Sequence, residues 1–158
     1  MRFPYLPLPT RGPVASLGGA QIRYRPIVAV RLFGPQGSRL FDGCLDCASD
    51  DTIFPRFLAR SLGIDLTGAV PGEARPVSGV VIPYLLTPVT LRVTDGLEQC
   101  DWQAIVGFAD LALRWALLGH AGFLDFFDSE LLGAKREAVL NPNARFPGQH
   151  VILRPAPP

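Results

Sequence analysis

The chain has 158 residues, enough for one domain with a sizeable core. Fifteen Lys and Arg against fourteen Asp and Glu leave a net charge of +1, which makes no electrostatic case for nucleic acid or an anionic membrane. No run approaches the roughly 18 apolar residues of a membrane-spanning helix. Three cysteines, an odd number, argue against a disulfide framework and fit a reducing compartment, so a cytoplasmic protein is expected. Sixteen Gly and sixteen Pro, with short apolar runs between them, predict a mostly β fold with many turns.

Residues 1–20 are rich in Pro and Gly and hold no sustained period, so they read as an N-terminal arm. Their start, Met1-Arg2-Phe3-Pro4-Tyr5-Leu6-Pro7, lacks the apolar stretch of a signal peptide. The main domain is predicted from Gln21 to Leu140. Ile27 to Phe33 is a β-branched strand, Gly34 to Ser38 a turn, and Arg39-Leu40-Phe41 the start of the return strand. Pro55 suits a helix start, Phe54, Leu58 and Leu62 recur at helical spacing, and Gly63 can cap the end. Val70 to Tyr84 reads as a hairpin with a Pro76–Gly79 tip. Pro76 and Pro83 cannot donate to a ladder, which places this hairpin at a sheet edge. Val89, Leu91 and Val93 alternate with polar residues, and Cys100 to Phe108 is the expected partner strand. Trp115 to His120 is a short buried strand. Phe123, Phe126 and Phe127 follow at the spacing of a second short helix. Ser129 to Leu140 can form a last hairpin, and residues 141–158 are a tail with one strand-like piece at Val151-Ile152-Leu153.

One stretch concentrates the chemistry: Phe41-Asp42-Gly43-Cys44-Leu45-Asp46-Cys47-Ala48-Ser49-Asp50-Asp51-Thr52-Ile53-Phe54-Pro55. A hydrophobic strand delivers Asp46 into a turn of small and polar residues. A carboxylate at such a strand end is costly to bury unless something shares or hydrogen-bonds its charge, which marks Asp46 as a candidate functional group. The same stretch resembles the catalytic loop of retropepsin-like aspartic proteases, with Leu45-Asp46 as lead-in, Ser49 as the small residue and Asp50-Asp51-Thr52-Ile53-Phe54 as exit. Two positions depart from the family pattern: Cys47 stands where Thr or Ser is usual, and Ala48 where Gly is usual. The family's closing motif, two hydrophobic residues and Gly before a short helix, is matched by Leu117-Leu118-Gly119-His120-Ala121-Gly122-Phe123-Leu124. The likeness covers residues 26–140 and is nearer to bacterial single-domain members, because a helix follows the catalytic loop.

The resemblance implies a retropepsin-like acid-protease barrel with a flap hairpin and two short helices. It implies an aspartic endopeptidase acting on extended peptide segments without a cofactor. Peptide hydrolysis of this kind uses two carboxylates that share a proton, one acting as base toward water and one as acid toward the carbonyl oxygen. A chain with one such loop supplies the pair only as a symmetric homodimer, Asp46 facing Asp46. By the same resemblance Cys47 braces the two loops, and Ala48, Asp50, Val77, Ser78 and Gly79 contact the peptide backbone. Trp115 and Leu117 wall a side-chain pocket, and Asp50 pairs with His120, which reads equally well as an unpartnered loop histidine. The alternative is the same fold as a peptide-binding or dimerising module without the chemistry, since the Cβ of Ala48 could crowd the carboxylates or strain a backbone with positive φ.

Other chemistries have weaker signals. Cys44-Leu45-Asp46-Cys47 is formally a C-x-x-C, but a redox pair belongs at a helix N-terminus and here the helix waits until Pro55. Cys100, His120 and His150 lack the paired spacing of zinc ligands. There is no phosphate loop, no Ser-His-Asp signature and no basic aromatic patch. Asp51 reads as a solvated turn acid or helix-entry cap.

Overall fold

Val28, Val30 and Leu32 point inward and Ala29 and Arg31 outward, so the first apolar run folds as a half-buried strand with a period of two. The computed structural model describes residues 1–76 and 79–154. In chain order the strands are β1 (Arg2–Pro4), β2 (Leu6–Val14), β3 (Ala20–Arg25), β4 (Ile27–Gly34), β5 (Gly37–Leu45) and β6 (Ile53–Pro55). Helix α1 (Arg56–Leu62) follows. After it come β7 (Val70–Ala74), β8 (Ile82–Thr94), β9 (Glu98–Ala109), β10 (Ala116–Leu118), β11 (Phe127–Leu132), β12 (Glu137–Pro142) and β13 (Gln149–Ile152). The protein is mostly β.

The large sheet runs β13-β9-β6-β10-β5-β4-β8-β7, and β8 pairs again with β9 over eleven residues. That second pairing closes β9, β6, β10, β5, β4 and β8 into a six-stranded barrel, a closure that removes open edges from the strands inside it. Phe54, Phe108, Phe123, Leu32, Leu91 and Leu118 are fully buried within it. Side chains of this size each stabilise by about 1.5–3 kcal/mol on complete burial. Strand β7 lies at one edge of the sheet, as Pro76 and Pro83 predict, and pairs with β8 from Val70↔Leu86 to Ala74↔Ile82.

Helix α1 forms where the 3.6-residue spacing placed it. Pro55 sits just before its first turn, Leu58, Ala59 and Leu62 pack on the barrel, and Gly63 ends it at φ 64°. The second short helix does not form. Leu124–Phe126 is a single 3-10 turn, and Phe127 already belongs to β11. Its aromatic spacing is spent on a cluster instead. Phe123, Phe127 and Phe146 each meet the Trp102 ring edge-on at 5.5–5.7 Å, and the Trp102 indole N–H donates to the Gly122 carbonyl at 3.1 Å.

The chain ends are also built differently from the expected arm and tail. Phe3 and Met1 are core residues, and β1 pairs with β12 in a three-stranded sheet, β1-β12-β11. Residues 6–25 form a separate two-stranded ribbon, β2 against β3. In the supposed tail, Phe146 joins the Trp102 cluster and β13 pairs with β9. No helix among the described residues is long and apolar enough to cross a membrane.

Candidate active site

Strand β5 delivers Asp46 to the barrel end. Leu45 is buried, Asp46 is half-buried, and residues 47–48 turn outward into solvent. The short strand β10 lies parallel to β5, Ala116↔Gly43 to Leu118↔Leu45, and antiparallel to β6 through Leu117↔Ile53. It therefore threads between the strand that enters the Asp46 loop and the strand that leaves it. Parallel neighbours need a long crossover, which is why two motifs some 70 residues apart in the chain meet here.

A run of backbone bonds fastens the loop to the Leu117-Leu118-Gly119 motif. The Asp46 N–H donates to the Leu118 carbonyl at 3.1 Å, His120 N–H to Ser49 at 2.9 Å, Ala121 N–H to Asp50 at 2.8 Å, and Thr52 N–H to Ala121 at 3.0 Å. Thr52 is fully buried, and its hydroxyl donates to the Gly119 carbonyl at 3.5 Å. Gly119 is required by this packing: a Cβ there would fall on the Asp51 carbonyl oxygen and lie 2.6 Å from that of Ser49. The loop backbone is thus held on both sides, while the Asp46 carboxylate accepts the Ala48 N–H at 3.1 Å in an Asx turn.

Ala48 is not strained. Among the described residues only Arg136 is a non-glycine with positive φ, so the backbone at 48 is one that alanine adopts freely. Cys47 is exposed, and its thiol has no hydrogen-bond partner among the described residues. Cys44 is half-buried, and burial together with the nearby Asp46 charge raises its pKa. All three cysteines are free. A raised thiol pKa is the opposite of what a reactive C-x-x-C needs.

Asp50 and His120 are joined differently from the expected side-chain pair. Their segments bond through the backbone, but the His120 ring turns elsewhere. Its Nε2 lies 3.1 Å from the Cys47 carbonyl, and its Nδ1 lies 3.7 Å from Asp125, which also meets Arg145 at 3.6 Å. The Asp50 side chain is exposed and has no partner among the described residues.

The acid with a structural role is Asp51, which sequence reasoning left as a solvated turn residue. Its carboxylate accepts a very short hydrogen bond from the Tyr84 hydroxyl. Tyr84 lies at the base of the β7–β8 hairpin, is buried, and packs with Ile53 and Ala109. Burial and the Asp51 hydrogen bond push its phenol well above the usual range. Leu117 joins this group together with Ala74, Ile82, Leu86 and Leu113. Leu117 therefore packs against residues of the hairpin. Trp115 does not join the group; it is partly exposed with the Arg114 guanidinium 4.6 Å above its ring.

The hairpin tip is partly described. Gly79 has φ 75°, and its N–H donates to the Pro76 carbonyl at 2.8 Å. Val77 and Ser78, expected peptide contacts, lie outside the described residues. Beyond Gly79, Val80 and Val81 are exposed apolar residues, 65% and 43% accessible. Below the Asp46 loop is a cavity of about 240 Å³ lined by Leu45, Cys47, His120, Leu124, Phe127, Ser129 and Leu131.

Thr52, Tyr84, Ile53 and Leu113 were not singled out by sequence reasoning. Thr52 had a detectable signal, a β-branched hydroxyl between an acid pair and an apolar pair. For Tyr84 no local signal existed. No model of a known protein family matches the chain, and no curated protein is significantly similar to it.

Proposed function

We propose that the protein is a homodimeric aspartic endopeptidase in a retropepsin-like barrel, with the two Asp46 carboxylates of a symmetric dimer as its catalytic pair. The observation that supports this most is the parallel β5–β10 pairing, which seats the Asp46 turn on Leu118-Gly119 and brings together the two motifs that carry the family resemblance. The edge hairpin, pinned to the loop exit through Tyr84 and Asp51, suits a flap over an extended peptide.

In this reading one Asp46 carboxylate removes a proton from water as its oxygen attacks the scissile carbonyl carbon. The other, protonated, Asp46 donates to the carbonyl oxygen. Collapse of the tetrahedral intermediate breaks the C–N bond, and the proton taken from water passes to the amine. The family resemblance assigns the peptide-backbone contacts to Ala48 and Asp50 on the loop and to Val77, Ser78 and Gly79 on the flap. The three free thiols suit a reducing, cytoplasmic setting.

The test is digestion of a peptide library, read by mass spectrometry, with parent and Asp46→Asn protein. Asn can serve neither as base nor as acid, so cleavage is expected to fall by at least about a thousandfold, since each proton-transfer role contributes roughly 10²–10⁴. The fold should persist, and chelators should change nothing. Undiminished cleavage by Asp46→Asn, or cleavage that needs added metal, overturns the proposal. Binding of library peptides with no cleavage at any concentration would select the non-catalytic alternative.

A further inference from the structure

The β2–β3 ribbon is unlike the rest of the molecule. Among the described residues it pairs with neither of the other sheets, its residues are mostly exposed, and Leu6, Leu17 and Ile22 leave apolar surface in solvent, Leu17 at 49%. A two-stranded hairpin without further cover is marginally stable in water. Its root is nevertheless fixed. The Tyr5 N–H donates to the Arg136 carbonyl at 2.7 Å, the Arg136 guanidinium stacks 3.7 Å over the Tyr24 ring, and the Pro26 carbonyl accepts the Leu45 N–H at 3.0 Å. Leu45 immediately precedes Asp46. The ribbon thus springs from beside the candidate catalytic loop and leaves a groove of about 820 Å³ against the β11–β12 turn. Leu17, Ile22, Arg23 and Arg25 line that groove.

The charge distribution indicates what fills it. The ribbon, residues 6–25, holds three arginines, Arg11, Arg23 and Arg25, and no acid. The rest of the chain carries the other twelve basic residues against all fourteen acidic ones. A basic ribbon thus stands on a slightly acidic body. Among the described residues strand β11 is paired only on its β12 side, and on it Asp128, Glu130 and Leu131 are exposed. An open strand edge with two acids and a leucine complements a groove lined by three arginines, Arg23, Arg25 and Arg136, with Leu17 and Ile22 beside them.

We propose that the β2–β3 ribbon is a dimer clasp: it closes over the β11 edge of a second copy of this chain, with Arg23 and Arg25 against Asp128 and Glu130 of that copy. Two-fold symmetry repeats the contact, so each subunit both grips and is gripped. This rests on the Asp46-pair reading, in which the Leu45–Asp46 segments meet at the axis and the ribbon roots therefore flank it. The contact orients the loops from outside the catalytic pair and adds no catalytic group.

The experiment uses two full-length variants, Arg23→Glu with Arg25→Glu, and Asp128→Arg with Glu130→Arg. All four positions are charged surface sites, and circular dichroism checks that each variant folds. Dimer dissociation constants come from sedimentation across a concentration series in low salt, with peptide cleavage followed in parallel. Each variant alone is expected to dimerise at least about tenfold more weakly, because like charges face each other. An equimolar mixture pairs a reversed ribbon with a reversed edge and the native ribbon with the native edge. It should restore dimer affinity to within about threefold of the parent, with cleavage recovering alongside. A contact made within one chain would not be rescued by mixing. If the parent dimerises and both variants match it, or mixing rescues neither, the clasp is overturned and the Asp46 pair stands. A parent that stays monomeric at every concentration overturns both.

Discussion

Tyr84 ties the β7–β8 hairpin to the exit of the Asp46 loop with one hydrogen bond, and that bond joins an uncharged donor to a carboxylate. Such bonds contribute about 1.5–3 kcal/mol, and removing the donor leaves Asp51 half-buried without its partner. Tyr84→Phe is expected to destabilise the fold by roughly 1–3 kcal/mol in urea unfolding at pH 8, with m unchanged. The pH dependence gives a second reading. The folded phenol is held protonated above its ordinary pKa of 10.0, so its contribution is fully present below pH 10 and is lost as pH rises beyond that, when the unfolded chain ionises first. Parent stability should therefore fall more steeply than that of Tyr84→Phe above pH 10. Parallel curves for the two proteins would show that the hydroxyl is not linked to folding. At this scale the sequence was legible where chemistry is local. Asp46 announced itself by the apolar run before it. Asp51 did not, because a turn acid looks the same whether solvent or a phenol 33 residues away receives it.

Among the elements, the strand-and-glycine unit 116–119 positions the site most directly. It fits between β5 and β6 only because Gly119 lets the chain pass against the carbonyls of Ser49 and Asp51. Neither oxygen can retreat easily, since Ser49 accepts from His120 N–H at 2.9 Å and Asp51 accepts from the Ser49 hydroxyl at 2.8 Å. Gly119→Ala is expected to cost about 1–3 kcal/mol through overpacking. Proposed peptide cleavage should fall further than the stability loss explains, because the displaced backbone is that of the Asp46 loop. Retained cleavage by a destabilised variant would mean the loop relaxes without moving its carboxylate. Elements with a clean period, β4, β8, β9 and α1, were readable from residue patterns alone. The aromatic spacing at 123–127 misled, because Phe123 and Phe127 face Trp102 from a turn and a strand and not from one helix face. The ribbon was missed for another reason. Pro7 and Pro9 look like strand breakers, yet they occupy alternate positions opposite Tyr24 and Ile22, so their missing donors fall on one side of a strand with a single partner.

For the whole molecule, barrel closure depends on pairings far apart in sequence, and the proposed dimer would use a surface that no local pattern describes. Cys47 is exposed and lines the cavity with Leu45, His120 and Leu131. If the Asp46 loops meet across a two-fold axis, the residue after Asp46 is the nearest available brace. A hydroxyl donates and accepts well there, and a thiol does both weakly. Two symmetric hydrogen bonds strengthened by about 0.5–1.5 kcal/mol each amount to about 1–3 kcal/mol of dimer affinity. Cys47→Thr is therefore expected to lower the dimer dissociation constant by roughly fivefold to a hundredfold. Sedimentation under reducing conditions measures this directly. Cleavage per subunit should then reach its plateau at a correspondingly lower protein concentration, with the plateau itself little changed, because the substitution alters assembly and leaves Asp46 in place. Ala48 needs no accompanying change, since its backbone is unstrained. An unchanged or larger dissociation constant would overturn the reading of Cys47 as a weak brace between the two loops.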